Sequence, residues 1–265
     1  MGPQYILVFA VCFLASLLGP LCGIGGGVII KPVLDAFGIL PVSTISFLSG
    51  CTVFSMSIAS LIRTRGNGVQ LSIRTSTPLA LGAVAGGLIG KWLFELVRRT
   101  FENESTLGLI QAVLLSILNI LVFIYICKKD KLKSYHTESI PVALIIGLAL
   151  GMISSFLGIG GGPCNVAVLF LFFSMDAKTA AKNSIYIILF SQASSIITAL
   201  ATHTVPDFEW PSLLLMAAGG VVGAIVGAAI SKRLSTRQVE VLLRGLLAVI
   251  ICIGFYNVFQ FAVLA

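Results

Sequence analysis

From Ser139 to Met175 the chain carries no charge. As one straight helix this stretch would be about 55 Å long, against a bilayer hydrocarbon core of about 30 Å. It must break, and the break falls at Gly158-Ile-Gly-Gly-Gly162. The same string stands at Gly23-Ile-Gly-Gly-Gly27, inside the uncharged stretch from Met1 to Ile30. Backbone that leaves the helix within a membrane is tolerated only where it is buried in protein or lines a cavity. Few folds accommodate two such segments.

The two strings lie 135 positions apart, about half of the 265-residue chain. At the same offset Thr44 meets Thr179 and Ser49 meets Ser184. With six more residues of offset, Gly82, Gly86 and Lys91 meet Gly223, Gly227 and Lys232, the extra length falling in the polar loop around His203, Asp207 and Glu209. The spacing predicts a tandem duplication. The first repeat is 1–127, with a broken hairpin at about 4–38 and helices at about 41–63, 76–97 and 105–127. A basic linker, 128–138, leads to the second repeat at 139–265, with a broken hairpin at about 139–175 and helices at about 177–202, 209–232 and 238–264. Hydrophobic residues make up 57% and charged residues 10% of the chain. A soluble domain carries roughly a quarter of its residues charged. This excludes a soluble enzyme, a nucleic-acid-binding domain and a disordered chain.

Topology follows from the basic residues. Parallel halves of four crossings each would put most of the 17 Lys and Arg on the side opposite the linker lysines, against the positive-inside tendency. If each glycine-broken segment instead enters and returns on one side, each half has three net crossings and the halves are inverted. Only Lys31, Lys91, Arg98 and Arg99 then lie outside. The expected fold is an all-α polytopic membrane protein of two inverted repeats, each a glycine-broken helical hairpin plus three transmembrane helices. The linker is expected in the cytoplasm and both termini outside. The N-terminus lacks the basic n-region of a cleavable signal peptide.

Inverted repeats with broken helices meeting near the midplane are a transporter architecture. Helices are expected to start just after Gly27 and Gly162, where unpaired N–H groups and the positive end of the helix dipole make an anion site from backbone alone. The substrate-binding candidates are therefore Gly25, Gly26 and Gly27 with Gly160, Gly161 and Gly162. Lys31, one turn into its half-helix, reads either as an anion contact or as the i,i+4 partner of Asp35. Cys164 and Asn165 occupy the first turn after Gly162, Cys164 also reading as a small packing residue. Ser49, Asn183 and Ser184 read equally as ligand contacts or interhelical hydrogen bonds. Lys178 and Lys182 read as cytoplasmic interface anchors, with Lys182 also placed to guide an anion. Gln192 and Asn119 read as interhelical glue, and Gly82, Gly86, Gly90, Gly219, Gly223 and Gly227 as close-packing positions.

No Asp or Glu stands in the middle of a span, so a carboxylate proton relay is not expected; the coupling ion stays open between H⁺ and Na⁺. The six cysteines include no CxxC pair, and no nucleotide-binding P-loop, HExxH or Ser-His-Asp set appears. No metal, cofactor or catalytic residue is expected, and the protein reads as a non-enzyme.

The doubled GIGGG string, the first continuing as Val28-Ile-Ile-Lys-Pro-Val-Leu34 and each followed by a Ser-containing helix, resembles the TauE/SafE family of sulfite exporter-like permeases. That resemblance, over nearly the whole chain, implies a bacterial inner-membrane secondary transporter of sulfur-containing anions such as sulfite, sulfonates, sulfoacetate or thiosulfate. Two departures stand out: Lys31, where the family mostly has an apolar residue, and Pro163 directly after the second glycine run. The expected partners are a small anionic substrate and the lipid bilayer, with a homodimer as an open arrangement and nucleic acid excluded. An anion or small-solute channel with paired re-entrant hairpins is the alternative, and a membrane sulfur-relay protein using Cys22, Cys51 or Cys164 a third.

Overall fold

The computed structural model describes residues 3–264 apart from 67, 102–103 and 138, and the described residues form helices and connecting loops. In the first half these are α1 (Pro3–Cys22), α2 (Gly27–Phe37), α3 (Val42–Arg63), α4 (Ile73–Thr100) and α5 (Glu104–Lys128). A short 3-10 turn at Lys129–Lys131 leads to α6 (Ile140–Leu157), α7 (Gly162–Phe173), α8 (Ala177–Ala201), α9 (Trp210–Ser231) and α10 (Thr236–Leu264). Eight of these helices are long and apolar enough to cross a membrane; the two that are not, α2 and α7, follow the glycine strings. The protein is a multi-pass membrane protein. Its glycine breaks are off-centre, each hairpin pairing an arm of 18 or 20 residues with one of 11 or 12.

Local chemistry sets several ends. Asp176 caps α8, its carboxylate accepting from the Lys178 and Thr179 N–H groups at 3.0 and 3.2 Å. Ser235 and Gln238 form a reciprocal capping box ahead of α10, which therefore starts at Thr236, before the expected 238. Prolines in the first turns of α6, α7 and α9 sit where a missing N–H costs little. The α2 helix ends at Gly38, whose left-handed conformation (φ 61°) turns its N–H back onto the Leu34 and Asp35 carbonyls.

Packing crosses between halves. Along α4, Gly82, Gly86 and Gly90 lie successively against the backbone of Leu144, Leu148 and Met152, so α4 and α6 run parallel in near-contact. Along α9, Gly219, Gly223 and Gly227 do the same against Phe9, Phe13 and Leu17 of α1. Small residues at these spacings let helix backbones approach as side chains elsewhere forbid. The α3 and α8 helices run antiparallel, Gly50 near the start of α3 meeting Gln192 far along α8, while Thr64 just past α3 meets Lys182 near the start of α8. The α5 and α10 helices are antiparallel too, Gly108 against Phe261 and Ser116 against Gly254.

Both hairpins return to the end they came from. Tyr5, near the start of α1, donates to Glu209 (2.6 Å), and Thr44, near the start of α3, donates to the Asp207 carbonyl (3.1 Å). The segment before α6 hydrogen-bonds to the end of α7, with Tyr135 and Thr137 N–H groups on the Leu171 and Phe172 carbonyls. The core runs through the hairpins: Ile24 and Ile159, the isoleucines of the two GIGGG strings, are buried together in the main apolar cluster.

Candidate functional site

The glycine strings form two tight loops that meet. Gly23 and Gly25 have positive φ (73° and 70°), as do Gly158, Gly160, Gly161 and Gly162 (66°, 81°, 89° and 42°). Residues with a Cβ rarely adopt this conformation, which is why the string is written in glycine. The half-helices α2 and α7 start at Gly27 and Gly162. Each first residue lies on the other loop: Gly27 against the Ile159 carbonyl, Gly162 against Val28 and the Ile24 carbonyl. The first N–H groups of α2 and α7, which have no intrahelical acceptor, are thereby brought to one central region.

One face each of α3 and α8 flanks the loops. On α8, Ser184, Ile188 and Gln192 follow at four-residue steps and share a face. The Ser184 hydroxyl donates to the Gly23 carbonyl, Ile188 packs on Gly25 and Gly160, and Gln192 Nε2 lies 3.6 Å from the position a Cβ on Gly160 would take. On α3, Ser46 touches Gly158 and Val53 touches Gly25, Gly27 and Gly160. Ser49, the counterpart of Ser184, is fully buried and its hydroxyl has no hydrogen-bond partner. The Gln192 amide nitrogen and the Asn165 oxygen are likewise buried without partners. Sequence reasoning took Gln192 for helix glue; its place two turns beyond Ser184 was the signal that it borders the loops.

Other candidates are held elsewhere. Asn183 fastens α8 to the start of α4, accepting from the Ser72 N–H (2.9 Å) and the Ser76 hydroxyl and donating to the Thr179 carbonyl (2.7 Å). Cys164 is half-buried at the edge of the main core. Lys31 lines neither cavity described below; its ammonium lies 3.0 Å from the Asp35 carboxylate.

Two cavities are lined by residues that correspond at the 135-residue offset between the glycine strings. The first, about 350 Å³, opens between the end of α3 and the start of α8, and Pro20, Leu21, Ser60, Leu61, Lys178 and Lys182 are among its lining. Lys182 donates to the Thr64 (3.2 Å) and Val69 (2.7 Å) carbonyls. The second, about 30 Å³, lies between the start of α3 and the far end of α8, lined in part by Ser43, Phe47, Lys91, Ser155, Ser195 and Ile196. By repeat offset Ser195 and Ile196 are the counterparts of Ser60 and Leu61. Phe47 stands where Lys182 stands in the first cavity, and its ring lies tilted against that of Phe208, 5.7 Å between centroids. Lys91, counterpart of Lys232, is tied to Glu95 at 2.9 Å and lies over the Phe94 ring. The first cavity is the larger and carries Lys178, Lys182 and Lys232; the second is small, with Phe47 and Lys91 on its wall. Among the described residues no cluster of His, Cys, Asp or Glu could hold a metal ion.

The chain is similar to known proteins. A probable membrane transporter protein of Methanocaldococcus jannaschii is 24% identical over 256 residues, covering 92% of each chain. The probable membrane transporter protein YunE of Bacillus subtilis is 22% identical over 94% of this chain and 96% of its own. A probable membrane transporter protein of Sinorhizobium fredii is 34% identical over 114 residues, covering 43% of this chain and 45% of its own. No solved structure matches the chain. The family model described as sulfite exporter TauE/SafE matches residues 8–256, nearly the whole chain, and the protein belongs to that family.

Proposed function

We propose that the protein is a secondary transporter of a small sulfur-containing anion (sulfite, thiosulfate or an organosulfonate such as sulfoacetate) working by alternating access. The observation that carries this reading is the pair of repeat-related cavities at the two sides of the glycine loops, one open to about 350 Å³ and the other reduced to about 30 Å³. Two states in which the cavities exchange roles would carry a solute past the loops without a continuous pore. The antiparallel pairing of α3 with α8 and of α5 with α10, each helix with its counterpart, supports inverted halves. Lys178, Lys182 and Lys232 line the larger cavity, and the basic linker packs on the end of α7 just before the helix that carries Lys178 and Lys182, which favours a cytoplasmic placement of that end and of the linker, with both termini outside.

The chemistry of the centre suits an oxyanion. Lys178 and Lys182 draw the anion into the open cavity. Beyond them the amides of Gly25 to Gly27 and Gly160 to Gly162, at the positive ends of α2 and α7, offer donors without a fixed charge. Ser49 and Gln192 add side-chain donors with no other partner. Pro163 withdraws one N–H from the second helix start, so the first supplies more of the binding. The relatives' printed names, probable membrane transporters, agree with transport, and the family description supplies the sulfur oxyanion.

The test is uptake of radiolabelled thiosulfate or sulfite by proteoliposomes, with a thermal-shift series over sulfite, thiosulfate, sulfoacetate, taurine and chloride. Saturable uptake of a sulfur anion that also raises Tm is expected. Uptake that never saturates indicates a channel, and neither uptake nor stabilisation by any sulfur anion overturns the assignment.

A further inference from the structure

The Lys31–Asp35 pair has no counterpart in the second half, where the matching positions are Val166 and Phe170. It is enclosed: Lys31 is 2% and Asp35 7% exposed, with Nζ and Oδ2 3.0 Å apart. Only one carboxylate oxygen is used, because Asp35 Oδ1 is buried without a hydrogen-bond partner. The α10 helix packs against this side of α2. There Asn257, 2% exposed, donates from Nδ2 to the Pro32 carbonyl at 2.8 Å, and its own Oδ1 has no donor. Gln260 lies against Gly38, and its Oε1 also has no donor. Pro32, Asp35 and Gly38 follow at three-residue steps along α2, so Asp35 stands between the points where the two amides touch the helix. Asp35, Asn257 and Gln260 thus each keep a buried acceptor oxygen without a partner where α2 and α10 pack. Asp35 also stands in the last turn of α2, at the negative end of the helix dipole, where a carboxylate is disfavoured.

Protonation would turn the unpartnered Asp35 oxygen into an O–H donor. A metal cation needs several oxygens arranged around a preformed space, and Asp35, Asn257 and Gln260 line neither cavity described above; a proton needs no space. Among the described residues Lys31 is the one charged group acting on Asp35. The α10 helix presents the two amides, and α3 presents Ile45 and Leu48 to the apolar cluster beneath α2. The α1 helix adds Val8, Ala15 and the thiol of Cys12. Asp207 and Glu209, the latter bound by Tyr5, stand at the same end of the bundle.

We infer that Asp35 is a proton-binding site coupled to the anion site, an inference that rests on the transport reading above. With Asp35 ionised, the pair is neutral and the Lys31 charge is cancelled. With Asp35 protonated by water at the α2 end, the Lys31 ammonium stands uncompensated one turn beyond Gly27, and an anion at the glycine loops neutralises it. One proton then enters with each anion and leaves to water when the anion leaves. The proton thus frees the Lys31 charge to offset one negative charge of the buried anion, which a low-dielectric interior favours.

The test uses thiosulfate, whose charge does not change across the neutral range. Its binding to the purified full chain is measured by calorimetry in buffers of different ionisation enthalpy, for wild type, Asp35→Asn, Asp35→Glu and Lys31→Met. Wild type is expected to take up about one proton per anion and to lose about tenfold in affinity per pH unit on the alkaline side. Asp35→Asn is expected to take up none and to bind with an affinity independent of pH, whereas Asp35→Glu restores the uptake. Lys31→Met is expected to bind weakly and without proton uptake. Proton uptake that persists in Asp35→Asn, or binding that requires Na⁺ and takes up no proton, overturns the inference. Thiosulfate binding with one affinity at every pH overturns the coupling and leaves the transport reading standing; failure of every sulfur anion to bind at any pH overturns both.

Discussion

Ser49 and Ser184 occupy matching positions in the two repeats and do different work. The Ser184 hydroxyl holds the first glycine loop through the Gly23 carbonyl; that of Ser49 is buried and holds nothing. Replacing Ser184 by Ala leaves a buried carbonyl without its donor, and a loss of about 1–3 kcal/mol is expected in thermal or denaturant unfolding in detergent. Ser49→Ala is expected to leave Tm unchanged and to weaken anion binding in the thermal-shift series; a fall in Tm without a change in binding would make Ser49 a structural residue. Gly162→Ala meets both an unfavourable φ and contact with Val28, so little folded protein should survive in size-exclusion profiles. Gly245→Ala, facing open space, should be neutral or slightly stabilising. The glycine strings were legible in the sequence because positive φ has a residue-level signature. The difference between the two serines was not, since it depends on which carbonyl a distant loop presents. The sequence named both partners open to Lys31; only the folded α2 helix shows the ammonium on Asp35.

At the scale of elements, four-residue glycine spacing does the joining. Gly86 of α4 abuts the Leu148 carbonyl and Gly223 of α9 the Phe13 carbonyl, so a Cβ at either would collide with backbone, which cannot rotate away. Gly86→Val and Gly223→Val are each expected to cost about 1–3 kcal/mol or more by overpacking, read as a lower Tm of the detergent-solubilised protein. The spacing itself was visible in the sequence. Which helices it joins was not, because α4 pairs with α6 and α9 with α1, each in the other half. Helix ends were legible where a cap announced them, as at Asp176, and were less so at α4, which runs from Ile73 to Thr100 beyond the expected 76–97. That helix starts early because Ser72 and Ser76 are held by Asn183 of α8, a contact from outside its own segment.

For the whole molecule, the inequality of the two cavities is the property with most consequence. Leu61 and Ile196 hold equivalent places in them. In a background with the six native cysteines replaced, Leu61→Cys should react with a membrane-impermeant thiol reagent from one side, and Ile196→Cys should be protected. Adding Phe47→Ala should expose Ile196→Cys; equal labelling of both positions in the parent background would mean that the protein is open from end to end. The 135-residue offset made the two positions comparable from sequence, but the difference in volume arises from packing, with Phe47 on the wall of the smaller cavity where Lys182 lines the larger, and packing leaves no mark along the chain. The exchange of hairpins between halves also bears on how the protein is made. The α6 helix emerges from the ribosome with its partner α4 already synthesised, whereas α1 emerges first and its partner α9 begins only at Trp210. At roughly 5–20 residues per second, α1 waits for α9 on the order of ten to forty seconds. The first hairpin is therefore the earliest part of the protein to be synthesised and among the last to be seated, and a nascent chain halted before α9 would leave α1 without its partner and open to membrane quality control.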